Sequence, residues 1–172
     1  VMLDATTRAN LEITQNLKGG RDHTLANILD KTRSPMGSRL LQRWLHRPIK
    51  NIEQKQTRLD AIAACMAQDD TLRQTLKGTG DTERILARIA LRTVKPRDFI
   101  QLRDALIKLP NIQQDARSIA SPYIQTLSAQ LDGFVPLANT LSKAIIDNPP
   151  VTMRDGGVIA PGYNAELDEY RQ

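Results

Sequence analysis

Two Ser-Pro dipeptides constrain this chain more than any other feature. Ser34-Pro35 and Ser121-Pro122 each set a helix-capping hydroxyl beside a proline whose missing N–H is lost without penalty in a first helical turn. Apolar residues follow at spacings of three and four: Met36, Leu40, Leu41, Trp44 and Leu45 behind the first, Tyr123, Ile124, Leu127 and Leu131 behind the second. That period belongs to an amphipathic helix, and His46, Arg47 and Pro48 end the first of the two.

The same signals recur along the chain. Asn51 with Gln54 resembles a capping box ahead of Ile52, Leu59, Ile62, Ala63 and Met66. Asp81 precedes Ile85, Leu86 and Ile89, and Pro96 opens a pattern of Phe99, Leu102, Leu106 and Leu109. Phe134, Leu137, Ala138, Leu141 and Ile145 complete the series. Short helices are expected over 5–11, behind Asp4, and over TLANILD, behind Thr24, with QNLKGGRD a loop between them. Lys95 is a poor residue to stand before a helix, where a serine would fit better.

At Asn148 the character changes. Pro149-Pro150 stops the helix, and VTMRDGGVI reads as two extended segments around a turn at Asp155, Gly156 and Gly157. The expectation is an all-α fold, a multi-helix bundle with one small β-hairpin near the C-terminus. Residues 1–148 form the helical core, 149–163 a β-hairpin and turn junction, and 164–172 the start of a further helix.

At 172 residues the chain can bury one core without disulfides or metal. No apolar run approaches the ~20 residues of a membrane span. The single cysteine, Cys65, rules out an internal disulfide and fits a reducing compartment or indifference to redox state, so a cytoplasmic location is expected. The opening Val1-Met2 is not a natural start, which suggests an excised piece. A net charge of +5 permits contact with nucleic acid, while 3% aromatic residues argue against a binder that stacks single-stranded bases.

Gly157 and Gly162 have the separation of a phosphate-binding loop, but Tyr163-Asn164 stands where that loop needs a lysine and a hydroxyl. Asp155, Gly156, Gly157, Gly162 and Asn164 are therefore read as a structural junction, with a tight turn at the glycines and Asn164 capping the next helix. Glu166, Asp168 and Glu169 support that helix through its dipole. His23 and His46 lack the spacing of a metal pair, and no GxSxG elbow occurs, so no catalytic, cofactor-binding or metal-ligating residue is assigned.

Two arginine stripes remain. Arg39, Arg43 and Arg47 line one side of their helix, which is either a solvated face or a weak contact for DNA phosphates. Arg84, Arg88 and Arg92 line another, apolar around most of its circumference; those arginines reach either carboxylates at a seam between elements or phosphates.

Taken together, LDATTRANLEI, TLANILDKTRSPMGSRLLQRWLHRPI, DTERILARIALR and DGGVIAPGYNAELDEYR resemble the MutS family of bacterial DNA mismatch-repair proteins, in order and over essentially the whole chain. The resemblance implies the first segment of the family's core, or lever, domain, with 164–172 beginning a long helix toward a clamp. It implies a non-catalytic scaffold that couples the parent's ATPase to its DNA-binding domains. ATP and Mg belong to the parent and to no residue here. The implied partners are the parent's other domains and, through it, mismatched duplex DNA. Apolar helix faces left uncovered would also favour a homodimer. The alternative, of a different class, is an autonomous basic helical module that binds duplex DNA phosphates.

Overall fold

The computed structural model describes residues 3–67 and 70–171. Among them lie ten α-helices and one 3₁₀ turn. The first four are α1 (Ala5–Asn10), α2 (Leu25–Leu29), α3 (Pro35–His46) and α4 (Ile52–Met66). Each starts where the sequence supplies an oxygen for an orphan N–H: Asp4 accepts from Thr7, Thr24 from Asn27, Ser34 from Gly37 and Asn51 from Gln54, at 2.7, 3.2, 3.1 and 2.8 Å.

Next come α5 (Thr71–Thr75), α6 (Thr82–Ala90) and α7 (Pro96–Arg117). Nothing in the periodicity announces α5, since five residues are too few to show a period. It is fixed from outside, by the Thr75 hydroxyl donating to Asp115 at 2.5 Å. Helix α7 runs past Leu109 and through Pro110 for a further seven residues to Arg117. The N–H lost at Pro110 is outweighed locally by burial of Ile112 and Ala116 and by Gln113, whose amide donates to the Ser128 carbonyl at 2.9 Å. Lys95 needs no capping side chain, because the Asp98 carboxylate reaches back and accepts the Lys95 N–H at 2.9 Å.

The series closes with α8 (Pro122–Ala129), α9 (Val135–Ala144) and α10 (Ala165–Glu169). Helix α7 is the axis of the bundle, with α5, α6, α8 and α9 laid against it. Ile85 of α6, Leu102 and Leu106 of α7 and Ala138 of α9 form the main buried cluster, flanked by Leu109 and Leu141. These are positions that the three-and-four spacing selects.

The expected β-hairpin over 149–163 is absent among the described residues. Pro149 and Pro150 offer no N–H to a ladder, and Met153–Asp155 tightens instead into a 3₁₀ turn held by the Asp155 carboxylate, which accepts the Thr152 N–H at 3.1 Å. The segment after the glycines pairs with the exit of α9. Ile145 and Ile159 form an isolated antiparallel bridge, with Ile146 N–H to Val158 O at 3.1 Å and Ala160 N–H to Ala144 O at 2.8 Å. Val158 is buried with Ala144 and Ile145, against Phe99 and Ile100 of α7. Burial of Val158 thus favours a partner outside the turn.

Helix α6 ends with Arg92 in the left-handed region at φ 55°, its N–H bonded to Ile89 O at 3.0 Å and the Thr93 N–H to Arg88 O at 2.9 Å. Glycine is the residue this position favours. Arg92→Gly is expected to raise stability by about 0.5 kcal/mol in urea unfolding. A loss of stability would show that the arginine side chain outweighs the backbone strain.

Candidate functional site

The residues of the C-terminal junction lie within one short, tightly tied stretch. Gly156 has φ 69° and ψ −171°, a region essentially reserved for glycine, and Gly157 follows at φ 65°. Gly162, at φ 81°, donates its N–H to the Asp168 carboxylate at 2.7 Å, and the Asn164 side chain accepts the Leu167 N–H at 2.9 Å. Arg171 binds back to Ile159 O at 3.2 Å. The direction of α10 is therefore fixed against the same segment that pairs with α9. A Cβ added at Gly156 or Gly157 would meet nothing within 4 Å, so any cost of substitution is backbone strain alone. Gly156→Ala and Gly157→Val are each expected to destabilise by about 1–3 kcal/mol in urea unfolding. Unchanged midpoints would remove the glycine requirement.

The first arginine stripe meets the start of α6. Arg39 donates to Asp81 at 2.7 and 2.6 Å and to Glu83 at 3.1 and 2.7 Å, and Arg43 lies 3.4 Å from Glu83. Asp81 does this while also capping α6 through the Arg84 N–H at 3.2 Å. The Arg39 hydrogen bonds hold the carboxyls of Asp81 and Glu83 below the usual carboxylate range and push the guanidinium above its own. Arg47 makes no side-chain hydrogen bond or ion pair with any described residue.

A group whose folded pKa is depressed contributes stability that is present above its unfolded pKa and lost as pH falls through the folded value. For Asp81 and Glu83 that loss falls below about pH 4. Arg39→Gln is expected to flatten this acid limb in a series of thermal melts from neutral to low pH. Superimposable acid limbs would contradict the clasp.

In the second stripe, Arg88 reaches Asp98 at 2.5 Å, with the carboxylate buried at the start of α7. Of the three arginines in this stripe it is the one that bridges helices; Arg92 lies just past α6, in the strained turn. A third link, Arg103 to Asp147 at 2.7 Å, ties α7 to the chain beyond α9 and raises the pKa of the guanidinium. The partners of Arg39 were not readable, since no local spacing joins residues 42 and 44 positions apart; Asp98 lies closer to its donors, three positions from Lys95 and ten from Arg88. The available signal was complementary charge: a basic face on α3 and acids at the start of α6.

Several depressions border α3. One, of about 600 Å³, is bordered by Arg8, Arg39, Arg43, Arg47, His46 and Glu83. Another, of about 740 Å³ between α3, α4 and α8, is apolar; Arg58 stacks on Trp44 at 4.0 Å along its wall. Cys65 also borders it, with burial pushing the thiol pKa up and away from nucleophilic use. Among the described residues, no three His, Cys, Asp or Glu side chains gather as a metal site. No described helix is long and apolar enough to cross a membrane.

The architecture is thus a helical bundle whose seams are closed by arginine–carboxylate pairs and whose last helix follows glycines of positive φ. A family model described as MutS domain III matches residues 6–172, nearly the full length. The chain belongs to the MutS domain III family.

Proposed function

We infer that this chain is a non-catalytic lever of a mismatch-recognition ATPase, coupling the nucleotide site of MutS to its DNA-binding domains. Family membership implies a role in MutS mismatch repair and places the chain in a part of MutS other than its ATPase. The observation that carries the lever reading is a continuous line of fixed contacts. Arg39 joins α3 to α6, Arg88 joins α6 to α7, the Ile85 cluster joins α6, α7 and α9, and the α9 exit holds the segment that aims α10. Contiguous packed elements of this kind can carry coupling between distant sites. On this reading α10 continues toward the clamp, ATP and Mg bind elsewhere in MutS, and the partners are its other domains and, through them, mismatched duplex DNA. Commitment of Arg39 to two carboxylates weighs against an autonomous module that grips phosphates with that arginine.

The test is the factor by which mismatched duplex changes ATP affinity in the longer MutS protein that contains this segment, compared with its Arg39→Gln variant. Linkage requires ATP to change DNA affinity by the same factor. The lever reading expects the variant to shrink both factors together, by roughly two- to thirtyfold, with each single affinity nearly unchanged. Coupling factors that stay at the parent value would overturn it.

A further inference from the structure

The geometry points to a phosphate-binding cleft between α1 and α3, in which Arg43 and Arg47 grip a polyanionic phosphate and Arg8 and Arg39 frame it. Four arginines border this cavity against one acidic residue, Glu83. Its carboxylate is already spent: Arg39 binds it at 2.7 Å, and Arg43 reaches it only at 3.4 Å.

The walls are fixed by other bonds. Arg8 donates to Leu3 O at 2.9 Å, and the His46 ring meets the Thr14 hydroxyl at 3.2 Å. Arg39 is locked onto Asp81 and Glu83. Arg47 and most of Arg43 are left with guanidinium forks that no described acceptor fills, and the Arg43 side chain is 62% exposed. Each fork presents five N–H donors in the planar geometry that matches a phosphate oxyanion bidentately.

The crowding itself is informative. Arg39 and Arg43 lie at i,i+4 on α3 and Arg47 follows at its C-cap; like charges at that spacing repel by several tenths of a kcal/mol per pair, and of the three it is Arg39 whose charge is offset by two carboxylates. An anion seated among them removes that repulsion, and a concave site focuses the field that attracts one. The cavity, at about 600 Å³, has room for a chain of phosphates. The phosphates come either from a free polyphosphate or from a nucleic-acid backbone. This site stands or falls independently of the lever reading, which concerns coupling and not affinity for phosphate.

Titration of the 172-residue chain with tripolyphosphate by calorimetry, and with a 12-base-pair duplex by fluorescence anisotropy, tests the site and separates its sources. Arg43→Gln and Arg47→Gln are each expected to weaken binding about tenfold. Arg84→Gln, which removes the same charge from α6 outside the cleft, should leave affinity unchanged. Tripolyphosphate binding with these losses assigns a free phosphate ligand; duplex binding alone, with the same losses and a salt slope of about two phosphates, assigns the backbone. Thermal melts of each variant check that it folds, and both substitutions lie at exposed positions. No binding of either probe, equal losses in Arg84→Gln, or equally tight binding of a polyglutamate peptide would overturn the proposal.

Discussion

Ile85→Ala is expected to lower the unfolding free energy by about 4 kcal/mol, read from the urea midpoint at unchanged slope. Ile85 is 1% exposed and is the contribution of α6 to the cluster with Leu102, Leu106 and Ala138. Truncation removes three buried carbons and leaves a cavity among three helices, whose backbones are held apart by neighbouring contacts and cannot collapse to fill it. Since whole domains are stable by only about 5–15 kcal/mol, the variant should be near the edge of folding. Ile85→Val should cost only about 1 kcal/mol. Equal, small effects of the two would mean that the α6–α7–α9 seam is plastic.

Asp98→Ala is the second large effect, about 3 kcal/mol by the same measurement. Asp98 is 5% exposed and its carboxylate performs two tasks, accepting the Lys95 N–H that starts α7 and neutralising Arg88. Its removal leaves the N–H unpaired and a half-buried guanidinium without its counter-charge. The figure sits at the lower end for a broken buried pair because a third of the Arg88 side chain stays in solvent. Asp98→Asn keeps an acceptor and should cost less than Asp98→Ala. The double variant Arg88→Met with Asp98→Leu should recover most of the loss, since apolar replacements do not need the pair. A double variant less stable than Asp98→Ala would show that the ion pair itself, and not the unmatched charge, supplies the stability.

Much of the helical frame was legible because capping and period are local. Ser34, Asn51, Asp81, Ser121 and Asn164 all cap where their position announces it, with oxygen-to-N–H distances between 2.8 and 3.4 Å. What escaped was non-local. The hairpin failed because Val158 gains burial against Ala144 and Ile145 that a partner across the turn would not provide. Pro110 inside α7 defies a sound local rule, and packing by Ile112 and Ala116 together with the Gln113 bond to Ser128 overrides it. At the candidate site the positive φ of Gly156, Gly157 and Gly162 could be read, since φ above zero is a property of a residue and its neighbours. The Arg39 clasp could not be, because its partners arrive from another helix.

The central claim is that α6, α7, α9 and the segment they hold behave as one rigid relay. Native-state hydrogen exchange across the chain tests this most directly. The account predicts that amides of α6, of α7 on both sides of Pro110 and of α9, together with Ile146 and Ala160, open through a single event of common free energy and denaturant dependence. Exchange of residues 112–117 through a separate, much easier opening, or independent release of Ala160 from α9, would contradict it.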